Sequence, residues 1–338
     1  MHYRGTKIVS RRRFVEFALL SSAGTLAAAP LLHAQSQRVR RVAYADPGTP
    51  STVGKLLTVF KGRLGELGWS EGRNVEYKYG YENNEAKRYE PVLADLLAQK
   101  PDVMFVYWGP MALVAKKLSQ DVPIVFAITS NPEQSGLVAS LARPGGNVTG
   151  ASTREREFPP KRIELLKEMI PGMRRFAVLA NSANPVGHKL WSERYGEIAQ
   201  KAGLQLIMLS ASSADEFAPA MDSAARAGAQ AIVGVADVVH FLERGRLAEQ
   251  IVRVRLPAVY PVDEYVESGV LASYGIDNVD QFRRGAGYVD KILRGAKPAD
   301  LPVEEPNTFS LAVNLKTART LGIKVPQSVL LRATSVIE

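Results

Sequence analysis

Residues 140–152 read SLARPGGNVTGAS and separate two similarly patterned halves of the chain. Pro144 blocks a helix, and Gly145 and Gly146 raise the entropic cost of fixing the backbone, so a helix cannot continue through this point. The NVTGAS that follows is rich in β-branched and small residues, which is typical of a short strand. A stop followed by a strand, near the middle of the chain, predicts that the polypeptide leaves one lobe here and enters a second.

Short apolar runs alternate with amphipathic segments on both sides of this stretch. Strands are predicted at residues 42–45, 75–79, 103–107, 124–128, 176–180, 206–209, 231–235 and 258–262. In the second half, helices are predicted between them at residues 161–169, 187–201, 214–226 and 242–253. Such alternation is typical of parallel sheets covered by helices on both faces. The predicted fold class is therefore α/β, with two Rossmann-like lobes.

The last part of the chain predicts that neither lobe is continuous in sequence. A strand is expected near residues 271–276 and a helix near 280–294, followed by an extended segment and a short helix. We expect lobe 1 to hold residues 38–152 plus about 278–310, and lobe 2 to hold residues 153–277 plus about 311–338. The links that would form a hinge are then expected near residues 150–154, 274–278 and 309–314.

Residues 1–34 have the pattern of a cleaved export signal. A basic start is followed by an apolar run at 17–32, and the small Ala34 suits a cleavage site. The stretch SRRRFVE at 10–16 resembles the twin-arginine export motif but departs from it in its last two residues, so Sec export stays open. We expect a periplasmic protein cleaved near Ala34; an uncleaved membrane anchor is the alternative.

Charge and composition limit the function classes. The formal net charge of the whole chain is +9. Without residues 1–34, the rest of the chain has 38 basic and 33 acidic residues, and its net charge is +5. These are scattered, whereas a nucleic-acid-binding surface needs a clustered basic stripe, so we expect no nucleic-acid partner. The chain has no cysteine, which excludes disulfides, thiolate metal sites and a lipid anchor on cysteine.

The sequence lacks the strong catalytic motifs. There is no phosphate-binding loop, no dinucleotide-binding glycine pattern after the first strand and no nucleophile elbow. His188 and His240, which follow the export signal, stand without a metal-ligand spacing or a nucleophile partner. We therefore expect no enzyme, no cofactor and no metal. An exported α/β hydrolase is kept as an alternative, because acidic residues stand at several strand ends.

Polar and aromatic side chains recur where the predicted strands end. Ligands of open α/β sheets bind outside the carboxyl ends of the strands. Amides, hydroxyls and helix N–H groups can hold a carboxylate, acids can receive an ammonium group, and aromatic rings can form a wall. Each acid could instead cap the helix that follows it. The candidate ligand-binding residues are Asp46, Tyr107, Gly109, Ser130, Asn131, Asn181, Asp237, Asp263 and Tyr274.

Two phrases, PGGNVTG at 144–150 and NLKTA at 314–318, stand in long stretches that resemble the bacterial ABC-transporter substrate-binding family that includes the TrpX-like proteins. The resemblance covers nearly all of the chain after the export signal. It implies a periplasmic-binding-protein fold of type I, in which Pro144 and the two glycines end the last helix of lobe 1. It also implies a monomer that binds a small ligand between its lobes.

The same resemblance implies the partners and the range of ligands. It implies delivery of the ligand to an inner-membrane ABC permease with a separate ATPase subunit, although a protein that presents its ligand to a sensory receptor would have a similar cleft. TrpX-like relatives imply an amino acid or an aromatic acid. Relatives often carry Asp-Pro where this chain has Asn131-Pro132, so a carboxylate that could recognise an amine is missing at this point.

Overall fold

A computed structural model describes residues 38–82 and 86–338, and the predicted export signal lies outside them. Its strands are β1 (Arg40–Asp46), β2 (Val75–Tyr81), β3 (Val103–Trp108), β4 (Ile124–Thr129), β5 (Val148–Ser152), β6 (Arg175–Ala180), β7 (Gln205–Ser210), β8 (Ile232–Gly234), β9 (Ala258–Tyr260), β10 (Ala272–Gly275), β11 (Ser310–Asn314) and β12 (Ser335–Ile337). Each strand predicted from the apolar runs is present within a few residues of its expected limits, which confirms the α/β prediction.

The helices alternate with these strands. They are α1 (Pro50–Glu66), α2 (Tyr89–Ala98), α3 (Gly109–Leu118), α4 (Phe158–Met169), α5 (Pro185–Ala202), α6 (Phe217–Arg226), α7 (Val238–Leu242), α8 (Arg244–Arg253), α9 (Glu264–Glu267), α10 (Asn278–Leu293), α11 (Leu315–Leu321) and α12 (Gln327–Arg332). In α1, Leu56, Phe60 and Leu64 recur at helical spacing and are buried in the core. Among the described residues, no helix is both long and apolar enough to cross a membrane.

The first sheet has five parallel strands in the order β2-β1-β3-β4-β5. Its inner strands are apolar on both faces because helices cover both, as in β3, which is buried from Val103 to Tyr107. The register pairs Ala45 of β1 with Val106 of β3, so the two strands end at the same edge. The carboxyl ends of β1, β3 and β4 therefore lie side by side.

The second sheet has seven strands in the order β12-β11-β10-β9-β8-β6-β7. All neighbours are parallel except β10 and β11, which pair antiparallel through Ala272 with Val313 and Gly275 with Ser310. This edge departs from the purely parallel sheet that the alternation predicts. Strand β11 runs antiparallel to β10 because the chain returns after α10 and enters the second sheet from its opposite end.

Helix α10 follows β10 in sequence but packs on the first sheet. The Phe282 ring contacts the Phe105 ring edge-on, with centroids 5.4 Å apart. The Trp69 indole nitrogen donates a hydrogen bond to the Asp290 carboxylate over 2.8 Å. A Cβ at Gly285 would lie 2.4 Å from the Phe105 ring, so the close approach requires glycine. The first sheet is thus covered partly by a helix that the sequence supplies much later.

The stretch at residues 140–152 holds a strand but follows no helix. Residues 130–147, between β4 and β5, form turns, in which Leu137 and Val138 both donate backbone hydrogen bonds to the Pro132 carbonyl. The expected helix ending at Pro144 is therefore wrong. In β5, Gly150 has φ +153° and a Cβ there would lie 2.1 Å from the Phe126 carbonyl oxygen, so the strand needs glycine to pass β4.

Candidate functional site

A cavity lies where the carboxyl ends of strands from both sheets face each other. Its lining comes from the ends of β3 and β4, the residues after β5, β8 and β9, helices α7 and α9, and the start of α10. The space in it that is not filled by atoms, open solvent included, is about 430 Å³, and the region that the centres of water-sized molecules can reach is about 40 Å³. An amino acid would enter only after the lobes or the lining side chains move.

Aromatic rings form much of the wall. Tyr107 and Trp108 have nearly parallel rings with centroids 6.3 Å apart. Phe241 of α7 lies 6.3 Å from the Tyr107 ring and 6.1 Å from the Tyr265 ring, so it connects the two sides of the cavity. Aliphatic side chains, among them Ile128, Val262 and Ile276, extend this apolar part of the wall. This surface is suited to the apolar part of a ligand, and an aromatic ring is a good match.

Asp237 is the carboxylate most available to a ligand. It follows β8 and caps α7, and its Oδ1 accepts hydrogen bonds from the backbone N–H groups of Val239 at 2.9 Å and His240 at 3.1 Å. The Asn181 amide nitrogen stands 3.4 Å from the same oxygen. Within the described residues, no hydrogen bond reaches the other oxygen, Oδ2. The cap thus holds the side chain in place and leaves one oxygen for a ligand's ammonium group.

Glu155 also borders the cavity, but its charge is already matched. Both of its oxygens accept from the Arg162 guanidinium, over 2.5 Å and 3.0 Å. Arg162 is 0% exposed and also donates from Nε to the Tyr274 carbonyl at 2.8 Å. The pair joins the segment after β5 to the end of β10, both at the passage between the sheets. Such a two-point ion pair holds both side chains in one geometry. Loss of either partner would leave the other as a buried charge without compensation.

The remaining polar lining consists of hydroxyl and amide groups. Ser130, Thr153 and Asn278 contribute them. Among the described lining residues there is no lysine, arginine or histidine. The cavity therefore offers one partly free carboxylate, neutral donors and an apolar wall. This combination suits a small molecule with an ammonium group, a carboxylate held by neutral donors and an apolar side chain.

Three of the nine predicted ligand-binding residues line this cavity: Tyr107, Ser130 and Asp237. Asn181 stands just behind Asp237 and also accepts a hydrogen bond from the Ala183 N–H over 2.9 Å. Contact of any of these residues with a ligand stays a prediction.

Five predicted residues lie away from the cavity lining. Asn131 and Gly109 follow β4 and β3, and a Cβ at Gly109 would lie 1.8 Å from the Thr129 hydroxyl oxygen, so tight packing accounts for the glycine. Asp263 accepts hydrogen bonds from the Ser273 and Ser310 hydroxyls over 2.6 Å and 2.5 Å.

Tyr274 and Asp46 complete this group. Tyr274 has its ring 5.9 Å from the Phe158 ring and borders a separate groove on the second lobe. Asp46 accepts hydrogen bonds from the Tyr44 hydroxyl at 3.0 Å and from the Gly48 N–H at 2.9 Å. These contacts hold both side chains in place, and a ligand contact of either residue stays a prediction.

Asp46 has a second buried acid beside it. Glu82 donates its backbone N–H to the Asp46 carbonyl over 3.2 Å, and its carboxyl oxygens have no hydrogen-bond partner among the described residues. Burial raises the pKa of Asp46 to about 6, although hydrogen bonds from Gly48 and Tyr44 lower it. Burial, with the nearby Asp46 charge, raises the pKa of Glu82 to about 9. Glu82 is therefore protonated at neutral pH.

Sequence reasoning missed several lining residues, among them Glu155, Phe241, Tyr265 and Asn278. Glu155 and Asn278 come directly after the two chain passages that follow β5 and β10, and this position was the available signal. Phe241 and Tyr265 lie on the short helices α7 and α9, each beginning within a few residues of a strand end. An apolar residue there has the same pattern as a core residue, so the sequence alone gave no means of separating the two.

Residues 52–337 match the family described as ABC transporter substrate binding protein. The chain belongs to this family. It is thus a solute-binding component of a transporter, and binding of a small molecule is the function of the family. Such proteins work outside the cytoplasmic membrane.

Relatives of the substrate-binding protein are known in sequence and structure. It is 24% identical over 268 residues to a tyrosine-binding protein of Clostridioides difficile, covering 77% of this chain and 74% of the relative. A Streptococcus pneumoniae ABC domain in complex with L-Trp has a TM-score of 0.80 and 25% identity, covering 88% of this chain and 100% of that one. A conserved domain protein of Vibrio cholerae has a TM-score of 0.80 and 26% identity over the same shares.

Proposed function

We propose that this protein is the receptor of an ABC importer for an amino acid with an aromatic side chain. The observation that carries the proposal is the Oδ2 of Asp237, which has no hydrogen-bond partner among the described residues and lies beside an aromatic wall formed by Tyr107, Trp108 and Phe241. The ligand's ammonium group would bind Asp237, and its ring would lie on this wall. The tyrosine-binding and L-Trp-bound relatives support the same ligand class.

Binding would proceed by closure of the two lobes around the ligand. The proposed lobes are residues 38–152 with about 278–310, and residues 153–277 with about 311–338; the position of α10 on the first sheet and of β11 in the second supports this division. The ligand would bind more tightly to the closed form because only there do both lobes contact it.

The proposed role also includes location and partners. The basic and apolar pattern of residues 1–34 supports export to the periplasm with cleavage near Ala34, and the family supports delivery to a permease with a separate ATPase subunit by a monomeric receptor. Amino-terminal sequencing of protein from the periplasmic fraction should find a chain that starts near residue 35. A chain retaining residues 1–34 would contradict this.

The test of the ligand class is a stability measurement on the purified protein. The protein is stripped of ligand in denaturant, refolded, and heated with the common amino acids, sugars and purines in parallel. A ligand at a hundred times its Kd adds about 2.7 kcal/mol of stability, a clear rise in Tm. We expect saturable shifts from aromatic amino acids, without consumption of the ligand. A shift confined to sugars or purines would refute the proposed class, and turnover would favour an enzyme.

A further inference from the structure

Two residues that line the cavity each carry a buried polar atom without a hydrogen-bond partner among the described residues. The two atoms are the hydroxyl of Tyr265, a residue 1% exposed, and the side-chain carbonyl oxygen of Asn278, a residue 4% exposed. Both residues border the cavity. Neither atom finds a partner among the residues that the structure describes.

Such atoms require an explanation, because a buried polar group without a hydrogen bond destabilises a protein by about 1–3 kcal/mol. Most buried polar atoms in native proteins are therefore paired. The Tyr265 ring packs against other rings: Tyr260 lies 4.3 Å and Phe241 6.1 Å away between centroids. The space that both unpartnered residues share is the cavity, so a partner would come from a molecule that enters it.

The chemistry of the two atoms is complementary. Burial raises the pKa of Tyr265 well above its usual value, so the side chain keeps its proton and can both donate and accept a hydrogen bond. The Asn278 amide nitrogen donates to a Glu264 carboxyl oxygen over 3.0 Å, which leaves its carbonyl oxygen as an acceptor. Together they offer an acceptor and a hydroxyl to the same ligand.

We propose that Tyr265 and Asn278 recognise a hydrogen-bond donor on the side chain of the ligand, and so select tyrosine or tryptophan over phenylalanine. This inference rests on the proposed function, in which Asp237 holds the ammonium group of an aromatic amino acid. A phenol hydroxyl can donate to Asn278 and accept from Tyr265, and an indole N–H can donate to either oxygen. Phenylalanine would leave both protein atoms buried and unpaired.

Tyrosine and tryptophan, which carry a hydrogen-bond donor on the side chain, should therefore bind much more tightly than phenylalanine, which has none. A site that hydrogen-bonds a polar group rejects the analogue that lacks it far better than an apolar pocket rejects an extra methylene. We expect phenylalanine to bind at least about tenfold more weakly than tyrosine or tryptophan.

The experiment measures Kd by calorimetry for L-tyrosine, L-tryptophan and L-phenylalanine with the full refolded protein and two variants. Tyr265→Phe removes the unpartnered hydroxyl of a residue that lines the cavity. Tyr260→Phe is the matched control, because the Tyr260 hydroxyl is also buried without a partner in the part of the chain that the structure describes, but the residue is not part of the cavity lining. Both variants lose only an unpaired polar atom, so both should fold at least as stably as the parent.

We expect Tyr265→Phe to weaken tyrosine binding about five- to tenfold and to leave phenylalanine binding unchanged, while Tyr260→Phe changes neither. Equal affinity of the parent for all three amino acids would overturn this inference and leave the proposed function standing. So would equal losses in the two variants, because the effect would then come from core packing. Binding of none of the three would refute the proposed function, and this inference with it.

Discussion

Two acidic side chains border the same cavity and use their oxygens differently. Glu155 has both oxygens held by the buried guanidinium of Arg162. Asp237 has one oxygen held by backbone N–H groups at the start of α7 and the other without a partner among the described residues. The first carboxylate is therefore part of the framework, and the second can be part of a binding site. Position at a cavity does not by itself identify a ligand-binding acid; the state of each oxygen does.

The largest expected effect is a loss of stability when the ion pair between Glu155 and Arg162 is broken. Arg162→Met leaves the Glu155 charge buried and uncompensated, so the free energy of unfolding should fall by about 3–5 kcal/mol in urea titrations. Replacing both residues, as Arg162→Met with Glu155→Leu, should restore most of that loss. The exposed pair of Arg246 with Asp215 gives the control, since Arg246→Met should cost less than about 1 kcal/mol. Equal losses at the buried and exposed pairs would contradict the comparison.

The second-largest effect is expected on the affinity for the ligand, with little change in the stability of the protein. Asp237→Asn keeps an oxygen that can cap α7 but removes the charge, so the Kd for an aromatic amino acid should rise about 10- to 100-fold with little change in Tm. Asp263→Asn is the matched control, because that carboxylate binds Ser273 and Ser310 and does not line the cavity. The assignment of Asp237 fails if its variant binds like the parent, or if the control loses as much affinity.

A third acid, Glu82, extends the comparison to a buried carboxyl whose oxygens have no hydrogen-bond partner among the described residues. Because the pKa of Glu82 is raised from 4.5 to about 9, the folded protein keeps a proton that the unfolded chain releases. This contribution to stability is present below about pH 4.5 and is lost as the pH rises toward 9. Glu82→Gln should therefore match the parent at pH 4 and exceed it at pH 8 by about 1–3 kcal/mol.

Urea titrations at the two pH values test this, and a difference of equal size at both would show that the charge of Glu82 is not its cause.

The sequence predicts the fold better than the site. Buried strands such as β3 and amphipathic helices such as α1 follow directly from apolar spacing, because burial on one or both faces is what the spacing records. Asp237 was predicted because it follows a strand. Arg162 was not, since a basic residue in KRIELLKEM reads as exposed helix surface. Its burial depends on Glu155 and on the Tyr274 carbonyl, 112 residues further along the chain, and no local pattern records such a pairing.

Arg162 was missed for lack of a local signal, whereas the helix expected before Pro144 came from a signal that was misinterpreted. Proline and glycine mark a stop correctly, but they do not say what kind of structure is stopped. Residues 130–147 reach β5 through turns in which the Pro132 carbonyl accepts two hydrogen bonds, so two apolar side chains are buried without a helix. Proline and glycine in the sequence therefore locate the boundary, and tertiary packing determines whether a helix or a series of turns precedes it.

The small size of the cavity has a consequence for the rate of binding. With about 40 Å³ available to the centres of water-sized molecules, the cavity is too small to hold an amino acid until its lining moves. Association would then be gated: at high ligand concentration the observed rate should level off at the rate at which the cleft opens. Stopped-flow tyrosine fluorescence would show such a plateau, and a rate that stays proportional to concentration would exclude it. The same opening step would limit release of the ligand, and with it the highest rate of transport that one receptor can support.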